Sequence, residues 1–333
     1  MTGKERVIRT IRRQKTDRTP IYAWVQNIEM TAKVAAKYGH VDRFYDKYEV
    51  DMYHLFPVYK PFDTGGANHQ KIFYEDELPE IKFTDPDEPM PYPPEPRFRN
   101  PDDMPYNDVR ELIDHHSGNR GRFVYAQTPG CFEFNPWGNE HQLEYLVLHT
   151  GRIRELYQRF TAWTLKYVNN LMDMGVDAIH VSDDWGAQKN MMISMDLWRD
   201  LVYPYHKAIS DAVKKRGVFL SLHSDGNVTN ALDGICEIGY DIVHPFQESA
   251  GMDYGLYLKK YRDKFTLLGG LDVQSTLGFG DYENVEREIR RVYGLFKDGG
   301  LIFCTSHSVQ PHCSVEELEF AYDLVYNLVR GRA

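Results

Sequence analysis

The sequence predicts an α/β fold, a single (β/α)8 barrel of the TIM type over residues 1–333, on three observations. Short apolar runs recur about eight times, amphipathic helical stretches separate them, and polar side chains gather just after the runs. A chain that is 42% hydrophobic and 14% aromatic has the apolar surface to fill such a core.

In chain order, an amphipathic helix opens at Met1-Thr2-Gly3-Lys4-Glu5-Arg6 and leads into strand-like runs at residues 21–25 and 51–56. From Gly121 onward the alternation is regular. Strands are predicted at 123–126, 178–181, 218–222, 241–244, 265–268 and 301–303, with helices at 152–174, 197–215, 228–238, 282–296 and 315–329. Gly175, Gly217, Gly239 and Gly299 follow helical stretches, where a left-handed residue stops a helix before the next strand. Residues 60–104, crowded with proline and acidic side chains, interrupt the alternation as an inserted loop. Within it, 71–74 and 80–83 read as a short hairpin and 91–96 as extended chain. Such an excursion serves as a lid, as a subunit contact or as a packed surface loop without chemistry.

A net charge of -10 and a pI near 5.7 argue against a nucleic-acid surface, which needs a basic stripe. No window approaches the ~20 apolar residues of a membrane span, and the first residues lack an apolar signal core, so a cytoplasmic protein is expected. Four scattered cysteines, Cys131, Cys236, Cys304 and Cys313, are too few for a disulfide framework and are expected as thiols.

In a βα barrel the active site lies at the C-terminal ends of the strands. Gln26 and Asn27 follow the first strand, Gln127 the third, Asp183 and Asp184 the fourth, and His223 and Asp225 the fifth. Gln247 follows the sixth, Asp272 and Gln274 the seventh, and His307 and Gln310 the eighth. Asn227 and Asp253 also fit as helix caps. Polar tips on most strands imply a pocket. The runs ending at His223-Ser224-Asp225-Gly226 and at Cys304-Thr305-Ser306-His307 aim His223, Asp225 and His307 at one point, which is metal-ligand chemistry. Taken singly, each histidine also fits a hydrogen-bonded polar residue where a strand leaves the core.

Five segments together carry a family resemblance. They are Ser182-Asp183-Asp184-Trp185-Gly186-Ala187-Gln188, Leu222-His223-Ser224-Asp225-Gly226-Asn227, Pro245-Phe246-Gln247 through Asp253, Gly269-Gly270-Leu271-Asp272-Val273-Gln274, and Thr305-Ser306-His307-Ser308-Val309-Gln310-Pro311. With the opening Lys4-Glu5-Arg6-Val7-Ile8 to Asp17-Arg18-Thr19-Pro20, the chain resembles the uroporphyrinogen decarboxylase superfamily. It resembles most the cobamide-dependent methyltransferase and O-demethylase branch. The likeness covers nearly the whole chain outside the proline-rich insertion.

The resemblance implies a barrel and two chemistries. Decarboxylases of the family grip a polycarboxylate with arginines in a Met-Arg-Gln-Ala-Gly-Arg loop after the first strand. Residues 23–30 here hold no arginine, so a porphyrinogen would lack its counter-charges. The methyltransferase branch binds zinc through His-x-Cys after one strand and a cysteine after the last. His223 matches the first ligand, while Asp225 and His307 stand in the cysteine places. Imidazole and carboxylate both bind zinc at about 2.0 to 2.2 Å, and this harder set also suits manganese or iron. Cys304 reads as core, because alternate strand residues face opposite sides, and Cys313 and His312, outside the matched motif, read as loop surface or as replacement ligands.

In that branch a methyl group passes from a small substrate to the cobalt of a separate corrinoid protein. This chain has no Asp-x-His-x-x-Gly motif, so a partner corrinoid protein is expected to carry the cobamide. The implied catalytic residues are Asp183, Asp184, Gln247 and Asp272, with Trp24, Gln26, Asn27, Trp185, Phe246 and Gln274 binding substrate. Tyr22, Trp24, Tyr53, Phe56, Phe132, Phe134, Trp137, Trp185 and Phe246 suit a methoxylated aromatic methyl donor, and equally an aromatic-rich core. A decarboxylase-like lyase on a smaller acid, a non-catalytic binder of the corrinoid system, and a homodimer stay open.

Overall fold

The computed structural model describes residues 1–58, 73, 75, 97–106, 108–132 and 142–332. Among the described residues, seven strands form one parallel sheet in the order of the chain: β1 (Met52–Leu55), β2 (Phe123–Pro129), β3 (Ala178–Ser182), β4 (Phe219–His223), β5 (Ile242–His244), β6 (Thr266–Leu271) and β7 (Leu301–Thr305). Each strand pairs with the next, and the helices Thr150–Met174, Tyr203–Lys215, Leu232–Ile238, Tyr282–Leu295 and Val315–Val329 fall between or after them. This is the TIM-barrel-like α/β architecture that the alternation predicts.

The eighth position differs from expectation. Instead of a strand over 21–25, one parallel bridge pairs Ile21 with Phe303. Tyr22 donates its N–H to Phe303 C=O (2.8 Å), and Phe303 donates to Pro20 C=O (2.9 Å). On the other side, Asp51 N–H donates to Ile21 C=O (2.8 Å), so this short segment spans the gap between β7 and β1. It cannot continue as a ladder, because Val25 N–H turns back onto Ala23 C=O and Trp24 C=O accepts from Val309 N–H.

The helix read over 197–215 is also divided. A π turn, Trp198–Val202, separates Met195–Leu197 from Tyr203–Lys215. Pro204 sits at the start of the longer helix and lacks the N–H that a continuous ladder would need. Gly175 and Gly239 cap their helices at φ +98° and +97°, as expected.

Strand residues are buried nearly throughout, as a sheet covered on both faces requires. The inside of the barrel is nevertheless polar. His54 stacks on Tyr125 (4.5 Å between centroids), His180 meets both edge-on (4.9 Å each), and Tyr22 packs against Tyr125 (6.0 Å). His180 Nδ1 bonds Ser221 Oγ (2.8 Å), and His54 Nε2 donates to Gln127 Oε1 (2.8 Å). Near the closing bridge, buried Asp51 accepts from both Arg6 and Arg18 and from Ile21 N–H (2.7 Å). Arg6 also holds Asp17, which joins the first helix to the closing segment.

At the base of the insertion, Glu75 N–H donates to Arg97 C=O and Arg99 N–H to Phe73 C=O (both 2.9 Å), and Phe73 packs edge-on against Trp163 (5.4 Å). Most of the expected hairpin, the extended 91–96 segment, Phe134 and Trp137 lie outside the described residues. Among the described residues no helix is long and apolar enough to cross a membrane. The four cysteines are free thiols.

Candidate functional site

Strand register builds the site. Ser182 pairs with His223 and His223 with His244, so the tips of β3, β4 and β5 stand side by side. Beyond them the loops after β3 and β4 touch backbone to backbone. A Cβ on Gly226 would lie 2.4 Å from Gly186 O, and one on Gly186 would lie 2.4 Å from Asp225 O, so only glycine fits either place. Asn227 N–H donates to Ala187 C=O (2.9 Å), and Asp225 N–H donates to Asp184 Oδ1 (2.7 Å). Gly226 N–H donates to Gln247 Oε1 (2.7 Å), which ties in the loop after β5.

This framework brings His223, Asp225 and His307 together, with one ligand atom from each within 4.8 Å of the others. His223 Nε2 is 3.8 Å from Asp225 Oδ1 and 3.7 Å from Asp184 Oδ1, and His307 Nε2 is 3.9 Å from Asp225 Oδ2. These separations are too long for hydrogen bonds. They suit donors around a common ion, since tetrahedral ligands about 2.1 Å from zinc stand roughly 3.4 Å apart and farther apart at wider angles.

Asp225 Oδ1 is buried without a hydrogen-bond partner, which is costly for a carboxylate unless a cation meets it. Burial, then the nearby Asp184, push the Asp225 carboxyl up to about 7. Burial lowers both His223 and His307, which favours the neutral imidazole that binds metals. Donor types, spacing and the orphaned oxygen therefore fit a divalent cation.

Among the described residues, two other groups of potential ligands are satisfied internally. In Asp42, His115 and His116, His115 donates to Asp42 (2.6 Å) and Arg122 donates to His116 Nδ1 (3.0 Å). In Cys131, Asp183 and His206, the Asp183 Oδ2 accepts from Trp185 Nε1–H and His206 Nε2–H, both at 2.8 Å.

The remaining predicted site residues divide between mouth and support. Trp24 forms a wall of the cluster, its ring 4.8 Å from His307, 5.2 Å from His54, 5.7 Å from His244 and 5.9 Å from His223. Asp184 faces His223, whereas Asp183 is fully buried and lies where a Cβ on Gly130 would meet it at 2.1 Å. Trp185 is also fully buried, edge-on to Trp198 (5.2 Å), and Phe246 stacks on Tyr254 (5.8 Å) in the core. Neither ring joins the ligand cluster.

Gln26 accepts from Tyr22 O–H (3.2 Å) and donates to His54 C=O (2.8 Å), and Asn27 caps the helix Ile28–Tyr38. Asp272 accepts the N–H groups of Gln274 (2.6 Å) and Ser275 (3.0 Å) and the hydroxyl of Ser249 (2.6 Å). Gln247, Ser249, Asp272 and Arg291 line an adjacent cavity of about 80 Å3. Asn227 and Asp253 cap local turns through Thr229 and Gly255 N–H. Cys304 is buried beside Thr305 and Cys313 donates to Ser314 C=O, and burial pushes both thiols up to about 12. Neither thiol belongs to the cluster.

The sequence reading overlooked His54, His180 and His244. His244 carried one signal, its place on the strand tip beside His223.

The chain is 28% identical over 182 residues to the uroporphyrinogen decarboxylase of Geobacter sp. (strain M21), covering 53% of this chain and 49% of that protein. The match to the enzyme of the same name from Citrifermentans bemidjiense has the same identity and coverage. The chain thus spans about half the length of the curated relatives it matches. Among solved structures, a methyltransferase from Methanosarcina mazei superposes with a TM-score of 0.68 over 98% of this chain and 99% of its own, at 14% identity, a likeness of fold. The family model "Uroporphyrinogen decarboxylase (URO-D)" matches residues 138–328, more than half of the chain, and the protein belongs to that family of enzymes.

Proposed function

We propose that the protein is a metal-dependent methyltransferase, moving a methyl group from a small substrate, a methoxylated aromatic in first place, to a corrinoid held by a separate protein. The observation that carries this reading is the meeting of His223, Asp225 and His307 at the strand tips, with Asp225 Oδ1 buried and unpartnered. Those three residues would hold zinc or a similar divalent ion. Such an ion supplies Lewis acidity to a leaving oxygen or nitrogen.

The chain's own groups do the rest. Asp184 fixes the Asp225 backbone, Gln247 fixes Gly226, and Trp24 presents an apolar wall beside His307 for a planar donor. Methyl transfer breaks the bond between the methyl carbon and its leaving group, whose electron pair departs with that group and takes up a proton from water, while the electron pair of the reduced corrinoid cobalt on the partner protein forms the new bond to carbon. The carboxylates Asp184 and Asp225 at the tips oppose a polycarboxylate substrate, which weakens the porphyrinogen reading.

The test is a screen of methoxylated aromatics and methylamines with a reduced corrinoid protein, following cobalt methylation by absorbance, alongside elemental analysis of fresh protein. About one divalent ion per chain and corrinoid methylation with one donor class are expected. Decarboxylation of a small acid without any corrinoid protein would instead establish a lyase. Metal-free protein, with full function retained in His223→Ala, would leave a non-catalytic binder.

A further inference from the structure

We infer that His244 is a positioning residue, which sets the proton of His223 on Nδ1 and leaves Nε2 bare toward the ligand cluster. The use made of that bare nitrogen rests on the metal reading above; the proton assignment stands on geometry alone.

His223 Nδ1 and His244 Nδ1 lie 2.7 Å apart, so one of them donates and the other accepts. The opposite nitrogen of His244, Nε2, is 3.2 Å from Thr305 C=O, a group that only accepts. Both rings are buried beside further imidazoles and Trp24, and a neutral imidazole carries one proton. The His244 proton therefore sits on Nε2, its Nδ1 is bare, and His223 must be the donor across the 2.7 Å contact. The reverse assignment would press a bare nitrogen against a carbonyl oxygen.

The result is a directed chain across three strands, from His223 on β4 through His244 on β5 to the backbone of Thr305 on β7. At its free end a lone pair on His223 Nε2 faces Asp184 and Asp225, at 3.7 and 3.8 Å. A lone pair aimed at two carboxylates is repulsive unless a proton or a cation lies between them, and the cation case is the arrangement of a ligand held by its outer hydrogen bond. The register pair His223–His244 keeps the two rings nearly parallel, 25° apart at 4.9 Å.

Two measurements test this on the full chain. In metal-free protein labelled with 15N-histidine, long-range 15N–1H correlation is expected to show His223 protonated at Nδ1; protonation at Nε2 overturns the inference. Zinc affinity is then compared by chelator competition in wild type, His244→Asn and His244→Leu. The Asn carbonyl takes the place of the accepting nitrogen, so H244N is expected to hold zinc within a few-fold of wild type. H244L is expected to weaken it by about 10- to 100-fold. Equal affinities in all three, or equal losses in both variants, would assign His244 to packing only. Should wild type bind no zinc while His223 carries its proton on Nδ1, the metal reading fails and the role of His244 as proton-setter remains. Should H244L fail to fold, the labelled spectrum and H244N decide.

Discussion

Asp184 Oδ1 accepts the backbone N–H of Asp225 at 2.7 Å and stands 3.7 Å from His223 Nε2. One carboxylate thus holds the turn after β4 and faces the candidate ligand atom on its tip. Asp184→Ala is expected to weaken metal binding by about 10- to 100-fold with little change in melting temperature. Asp184→Asn, which keeps an acceptor for the Asp225 N–H, is expected to lose less. Chelator competition measures both, and an unchanged affinity in the alanine variant would remove Asp184 from the site.

The buried imidazoles make the fold acid-sensitive. Burial lowers His54 to about 3 and places His180 well below its ordinary range. Below about pH 6.5 the unfolded chain takes up protons that these rings refuse in the folded state, so stability falls as pH drops from about 6.5 toward 3. The slope is at most about 1.4 kcal/mol per pH unit for each such ring. Urea unfolding of metal-free protein at pH 7.5, 6.0 and 5.0 should show midpoints falling in that order, and His54→Gln should flatten the trend.

Asp51 accepts from Arg6 and Arg18, and all three are buried. Removing one partner strands buried charge, so Asp51→Ala is expected to cost about 3 to 5 kcal/mol. Denaturant midpoints at constant slope check it. A cost below about 1 kcal/mol would mean that water replaces the carboxylate.

Gly226 and Gly217 separate two causes of strain. Both have positive φ, +77° and +69°, but a Cβ on Gly226 would strike Gly186 O at 2.4 Å, while one on Gly217 meets nothing within 4 Å. Gly217→Ala is expected to cost about 1 kcal/mol. Gly226→Ala is expected to cost more and to displace Asp225, with loss of metal. Paired melting curves and metal analysis show whether the two substitutions differ.

The strand positions and the three candidate ligands were legible because both are local. A strand's apolar run and the polar residue after it are adjacent in the chain, so His223, Asp225 and His307 stood out. Side-chain direction was not legible. Trp185 and Phe246 follow strands as Trp24 does, yet they turn into the core against Trp198 and Tyr254, because the loop backbone sets their aim. His54, His180 and His244 were hidden because they lie within the strands, read as apolar, and their partners stand on other strands. The strand expected at 21–25 shrank to a bridge because an apolar run does not show which carbonyls its neighbours leave free.

The bridge between Ile21 and Phe303 has a consequence for assembly. The segment around Ile21 completes the ring against β7, a pairing between residues far apart in sequence, so the seam closes a long loop and forms late. Until then the outer edges of β1 and β7 stay available to other chains. A variant lacking residues 1–25 should therefore be prone to self-association, which size-exclusion chromatography measures.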